Sequence, residues 1–195
     1  MTDRKLVVGL TGSFGSGKST VGRMFKRLGA KKVIDCDRLA HEVFRPGHRL
    51  AERIKSLFHR AGSMSRNAIA REVFSDPGKR KRLEAIVHPY VGQRIRSELK
   101  KVRSGIVILE VPLLFETGFD RSCDATVVVL AGESNIIKRL SRNGFEPEEV
   151  RGRLRAQLPE REKRRRADFL ILNSGSKRTL AKNVKSVWQE LNLKN

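Results

Sequence analysis

At 195 residues the chain is long enough to bury a core without a disulfide or metal to staple it, and its length suits one domain with a small insertion. Lys and Arg number 42 against 21 Asp and Glu, a formal charge of +21, so its partners are expected to be anionic. Cys36 and Cys123 lie far apart with no C-x-x-C spacing, which argues against a disulfide scaffold or a zinc site and suits a reducing compartment. No apolar run approaches membrane-spanning length and no signal-peptide pattern precedes the first apolar run, so a soluble, cytoplasmic protein with no membrane partner is expected. The basic residues are spread along the whole chain, and a single Trp and a single Tyr offer few stacking platforms. That pattern predicts no specific nucleic-acid partner, only weak nonspecific binding at low salt.

In chain order, Leu6–Thr11 reads as a buried strand, and Val21, Met24, Phe25 and Leu28 then fall on one helical face that ends at Gly29. Lys32–Asp35 is a second strand and Arg38–Phe44 a helix. The interval 38–103 holds no convincing strand; it reads as helices at Arg49–Arg60, Arg66–Phe74, Lys79–Val87 and Tyr90–Val102, with a turn at Ser75-Asp76-Pro77-Gly78. Strands follow at Gly105–Val111, Ala125–Leu130 and Phe169–Leu172. Between the last two, Ile136–Asn143 and Glu148–Leu158 form a helix pair carrying Arg142, Arg151, Arg153 and Arg155, a mobile lid over about 136–158. The run Arg161–Arg166 reads mostly as solvated surface. Strand and helix alternation predicts an α/β fold with a parallel five-stranded sheet. Its ligands would bind at the carboxyl ends of the strands, and the helical insertion over about 38–103 would bind substrate.

The chemistry starts at Gly12-Ser13-Phe14-Gly15-Ser16-Gly17-Lys18-Ser19, a full G-x-x-x-x-G-K-[ST] loop between a strand and a helix. Glycines let successive backbone N–H groups turn onto a polyphosphate, Lys18 reaches the β and γ phosphates, and the Ser19 hydroxyl can hold Mg²⁺. Residues 12–19 with Thr20 are therefore the expected nucleoside triphosphate site. The chain has no Asn-Lys-x-Asp guanine motif and no LSGGQ-like signature, which leaves small-molecule kinases foremost. A kinase needs a carboxylate to accept or orient the acceptor's proton. Val33-Ile34-Asp35-Cys36-Asp37 offers two: Asp35 on the strand, and Asp37, which is alternatively the N-cap of the next helix. His88, beside Pro89, reads equally as a helix-boundary residue or a binding residue, and Leu114 and Phe115 as core or as site lining.

These segments resemble the dephospho-CoA kinase family. The resemblance rests on Gly9 to Val21; Ile34-Asp35-Cys36-Asp37 with His41 and Pro46-Gly47; Val73-Phe74 with Asp76-Pro77; and His88-Pro89. It continues through Val111-Pro112-Leu113-Leu114-Phe115-Glu116, Arg153 with Gln157, and Ala167-Asp168 with Asn173-Ser174-Gly175, in family order along residues 9–175. It implies ATP and Mg²⁺ as cofactors, dephospho-CoA as the acceptor, and transfer of the γ-phosphoryl group to the ribose 3′-hydroxyl, the last step of coenzyme A synthesis. Carried over residue by residue, it implies Asp37 as the group that takes the hydroxyl proton, Lys18 and Ser19 on phosphates and Mg²⁺, and Arg142 neutralising the transferring group. Arg66, His88, Leu114 and Phe115 fall in the acceptor-binding blocks. The chain departs from the family pattern at Ser13, Ser65, Glu110 and Leu172. A monomer or weak oligomer is expected. The alternatives are another P-loop nucleoside or nucleotide kinase, or a nucleic-acid-binding ATPase.

Overall fold

The structure, a computed structural model, describes residues 4–58, 69, 72, 73 and 76–195. Its strands are β1 Lys5–Gly12, β2 Lys32–Asp35, β3 Gly105–Glu110, β4 Ala125–Leu130 and β5 Phe169–Leu172, all parallel in the order β2-β3-β1-β4-β5. A sheet covered on both faces needs apolar residues at every position, which is why β1, β3 and β4 read as unbroken runs. Val8, Leu10, Ile108, Val127 and Val129 are all fully buried. The strands match the five expected from sequence, so the α/β parallel-sheet fold holds.

Contacts divide the chain into two compact units, residues 1–35 with 100–195, and residues 36–99. In the first, helix α1 (Lys18–Leu28) starts at Gly17, whose φ of 100° lies where a side chain is strained, so glycine suits the turn from loop into helix. Its Val21 and Phe25 pack on the sheet together with Leu180, Val184, Val187 and Leu191 of the C-terminal helix Lys177–Lys194. Ser176 caps that last helix, its hydroxyl accepting from Thr179 N at 3.1 Å.

The second unit contains α2 (Cys36–Glu42), α3 (Ala51–Leu57) and α4 (Pro77–Lys100), gathered around Val43, Ile54, Phe58, Ile69, Ile86 and Val87. Two helices were expected on either side of Pro89, yet α4 runs through it for 24 residues. Proline forfeits one intrahelical hydrogen bond there. Ile86 and Val87 before it, and Tyr90 and Val91 after it, all pack into the same apolar cluster, so burial holds both halves to one axis. Tyr90 adds a hydrogen bond to Glu42 Oε2 at 2.7 Å, and its burial raises the phenol's proton affinity. The helix expected at Arg66–Phe74 lies largely outside the described residues.

The first unit also holds α5 (Glu133–Ser141), α6 (Pro147–Arg155), α7 (Glu160–Arg166), α8 (Lys177–Lys194) and a short 3-10 turn at Phe119–Ser122. The charge run 161–166 is mostly solvated as expected, with Arg161, Arg164, Arg165 and Arg166 exposed, but Lys163 is an exception. The run lies in α7, and its Lys163 side chain is 0% exposed. Among the described residues no helix is long and apolar enough to cross a membrane.

Candidate active site

Parallel register brings the carboxyl ends of β1, β2 and β3 together: Leu10 lies opposite Glu110, and Glu110 opposite Asp35. The phosphate loop leaves the end of β1; Glu110 ends the adjoining strand β3, and Asp35 ends β2 one strand further out. Glu110 is buried, and desolvation raises its proton affinity above the ordinary value. The Ser19 hydroxyl opposes that shift by donating to the carboxylate, Asp35 reinforces it by like charge, and Lys18 and Arg23 lower it. A hydroxyl with one or two carboxylates is an oxygen donor set suited to Mg²⁺, which completes its shell with water and substrate phosphates. No cage of three or more His, Cys, Asp or Glu occurs among the described residues, and Mg²⁺ held this way does not need one.

The loop itself is braced from outside. Lys18 Nζ donates to Gly12 O at 2.9 Å and to Ser13 O at 3.4 Å, and Ser16 N to Ser13 O at 3.0 Å. Asn173, buried just beyond β5, donates from Nδ2 to Ser16 O at 2.7 Å. Arg139 of α5 forks to Gly15 O at 2.9 Å and to Asn173 O at 3.1 Å. At Gly15 a Cβ would come within 2.7 Å of Leu140 and 3.0 Å of Ile136, so a side chain there would push α5 off the loop. Ser16 Oγ is buried and has no hydrogen-bond partner among the described residues.

Arg139 was missed in the sequence. Ile136 and Leu140 mark the buried face of α5, and Arg139 borders that face, three residues from one and one from the other. Arg142 is the exposed C-cap of α5. The other lid arginines bind acidic neighbours: Arg151 with Glu148 at 3.1 Å and Glu133 at 3.5 Å, Arg153 with Glu149 at 2.7 Å, and Arg155 with Glu148 at 3.7 Å. Such exposed pairs contribute little to stability.

Asp37 lies one residue beyond Cys36, the first residue of α2, and is exposed. It therefore belongs to the first helical turn, which removes the N-cap reading. Its charge there still favours the helix through the macrodipole. His88 is an exposed residue inside α4 and not at a helix boundary. Leu114 is fully buried, its methyls within 3.1 Å of a Cβ placed on Gly9, so packing accounts for it. Phe115 is buried under the Arg166 guanidinium, 4.5 Å from the ring centre. Arg66 and Ser65 lie outside the described residues, and Leu172, ending β5, is 54% exposed. Phe14 turns its backbone N–H to Gln157 Oε1 at 2.9 Å. Cys36 and Cys123 are free thiols; burial, then the nearby Asp120 and Asp124 charges, push Cys123 up to about 12.

Comparison with known proteins gives a consistent result. The dephospho-CoA kinase family model matches residues 6–179. A dephospho-CoA kinase of Thermus thermophilus is 42% identical over 190 residues, which span 95% of this chain and 92% of that protein. One from Symbiobacterium thermophilum is 41% identical over 192 residues, 94% of this chain and 80% of that protein. A crystal structure of a Thermus thermophilus protein superposes with a TM-score of 0.86 at 40% identity, covering 96% of this chain and 98% of the other. A shikimate kinase from Acinetobacter baumannii shares the fold at 16% identity, with a TM-score of 0.55 over 99% and 96% of the two chains.

Proposed function

The chain belongs to the dephospho-CoA kinase family, and on that premise we propose that it transfers the γ-phosphoryl group of ATP to the ribose 3′-hydroxyl of dephospho-CoA. The bond between the γ phosphorus and its bridging oxygen breaks as one to the 3′-oxygen forms, the hydroxyl proton leaves, and ADP and CoA are released. The observation that carries this reading is the buried Glu110 carboxylate at the end of β3, beside β1, whose carboxyl end leads into a phosphate loop where Ser19 directly follows Lys18.

Lys18 and the loop N–H groups would gather negative charge from the β and γ phosphates. Ser19, with Glu110 and Asp35, would hold Mg²⁺, which supplies charge neutralisation and alignment of the phosphates when bound. Asp37 would accept the 3′-hydroxyl proton as the nucleophilic oxygen forms its bond. Arg142 would meet the charge that builds on the transferring group once the lid closes. By the family resemblance, Arg66, His88, Leu114 and Phe115 would bind the acceptor. The protein is expected to work in the cytoplasm as a monomer or weak oligomer, without membrane or specific nucleic-acid partner.

The test follows ADP release with dephospho-CoA, adenosine, AMP and shikimate, with Lys18→Ala as the inactive reference. Turnover with dephospho-CoA alone is the expected result. Preference for AMP or adenosine, or turnover that rises with added RNA or DNA at physiological salt, would overturn the reading.

A further inference from the structure

Three residues of the family-like segments, Glu116, Arg153 and Gln157, take no part in the mechanism above, yet Arg153 and Gln157 touch the phosphate loop and Glu116 holds the residue after Gln157. Phe14 is the meeting point. Its ring lies 5.7 Å from Phe145 in an edge-on pair and 4.7 Å beneath the Arg153 guanidinium. Its backbone N–H donates to Gln157 Oε1 at 2.9 Å, a contact across 143 residues.

That hydrogen bond sets the orientation of a whole peptide plane. In a trans peptide the N–H and the preceding C=O point in opposite directions. With Phe14 N–H drawn out toward Gln157, Ser13 C=O turns the other way, where it accepts from Ser16 N at 3.0 Å and Lys18 Nζ at 3.4 Å. Those two contacts close the loop's turn and hold the lysine that meets the phosphates.

Gln157 is itself fixed from behind. The next residue, Leu158, donates its N–H to Glu116 Oε1 at 2.9 Å. The Glu116 side chain, 20% exposed, also faces Lys163 Nζ at 3.3 Å. Lys163 is fully buried and makes no hydrogen bond among the described residues, so this carboxylate is what compensates its charge. A buried cation cannot leave its counter-ion without a large desolvation cost. The loop after β3 is thereby fastened to α7 and to the segment that ends α6.

We propose that Gln157 is a positioning residue for the phosphate loop, and that Glu116, held by Lys163, sets where Gln157 lies. Glu116 and Lys163 thus act on nucleotide binding through Leu158, Gln157 and the Ser13–Phe14 peptide, without touching the nucleotide. The inference rests on reading the loop as the ATP phosphate site. Its readout is binding of ADP, which needs no acceptor, so failure of dephospho-CoA as substrate would leave it standing.

The experiment measures the ADP dissociation constant calorimetrically, in Mg²⁺, for Gln157→Ala, Glu116→Ala and the double variant. Each single change is expected to weaken ADP roughly fivefold, the worth of one net hydrogen bond. The double variant should be no weaker than the weaker single one, because both act through one contact. Glu116→Gln combined with Lys163→Met keeps an oxygen for Leu158 N–H and removes the charge pair as a unit. It should return the affinity to within about twofold of the parent. Unchanged ADP affinity in Gln157→Ala, losses that multiply in the double variant, or no recovery in the Gln/Met protein would each overturn the proposal. A fall in melting temperature with parental ADP affinity would show Gln157 to be structural only.

Discussion

Gly22→Ala sets two effects of opposite sign against each other at one atom. Gly22 is buried in the second turn of α1, and a Cβ there would overlap Glu110 Oε1. Replacing glycine by alanine inside a helix stabilises by about 1 kcal/mol. Pushing the Glu110 carboxylate aside overpacks a buried site, at a cost of about 1.5–3 kcal/mol. The second effect is larger, leaving a net loss of about 0.5–2 kcal/mol. For a chain of this size that is a fall in melting temperature of roughly 1–8 °C. Function should suffer more than stability, since on the proposed reading the displaced carboxylate helps Ser19 to hold Mg²⁺. Half-saturation by Mg²⁺ should rise about tenfold or more. Scanning calorimetry and a Mg²⁺ titration of ADP release measure the two quantities separately. A Gly22→Ala protein with a raised melting temperature and parental Mg²⁺ dependence would refute the reasoning, because it would mean that Glu110 moves aside at no cost.

Asp37→Asn keeps shape but removes the proposed proton acceptor, so kcat should fall roughly 10²–10⁴-fold with little change in KM for ATP; steady-state kinetics showing parental kcat would return the role to Asp35. Arg139→Ala strips one charge-assisted hydrogen bond from the loop carbonyl of Gly15 and one from Asn173, which braces the loop, and should raise KM for ATP at least tenfold. Arg142→Ala, at an exposed helix end, should instead lower kcat at constant melting temperature; matching KM effects in the two variants would count against separate roles. Burial holds the Glu110 carboxyl above the ordinary value of 4.5, so the native state keeps that proton to higher pH than the unfolded chain. Stability from this group is complete below that value and is lost as pH rises through the folded-state value. Without Mg²⁺, Glu110→Gln should therefore melt higher than the parent at pH 7, with the gain shrinking toward pH 4; a gain independent of pH would contradict this origin.

Local order was enough to read much of this protein. Unbroken apolar runs bounded by turns carry the five strands within one residue at each end, because a strand buried on both faces has no choice but apolar residues. The loop between β1 and α1 was legible for a similar reason: its glycines, lysine and hydroxyl lie in one short stretch of backbone, so their spacing shows in the sequence. What sequence could not disclose depends on partners far along the chain. Pro89 looks like a helix end until the cluster that grips both sides of it is known. Lys163 looks solvated among five charged neighbours until Glu116, 47 residues earlier, is found to face it. The choice of Arg139 over Arg142 at the phosphate loop turns on a single residue's angular position around α5, and only packing of Ile136 and Leu140 sets that angle. Periodicity along the chain reports what each element buries; which charged group then meets which loop carbonyl is decided when the elements pack, since those energies exist only at contact distance.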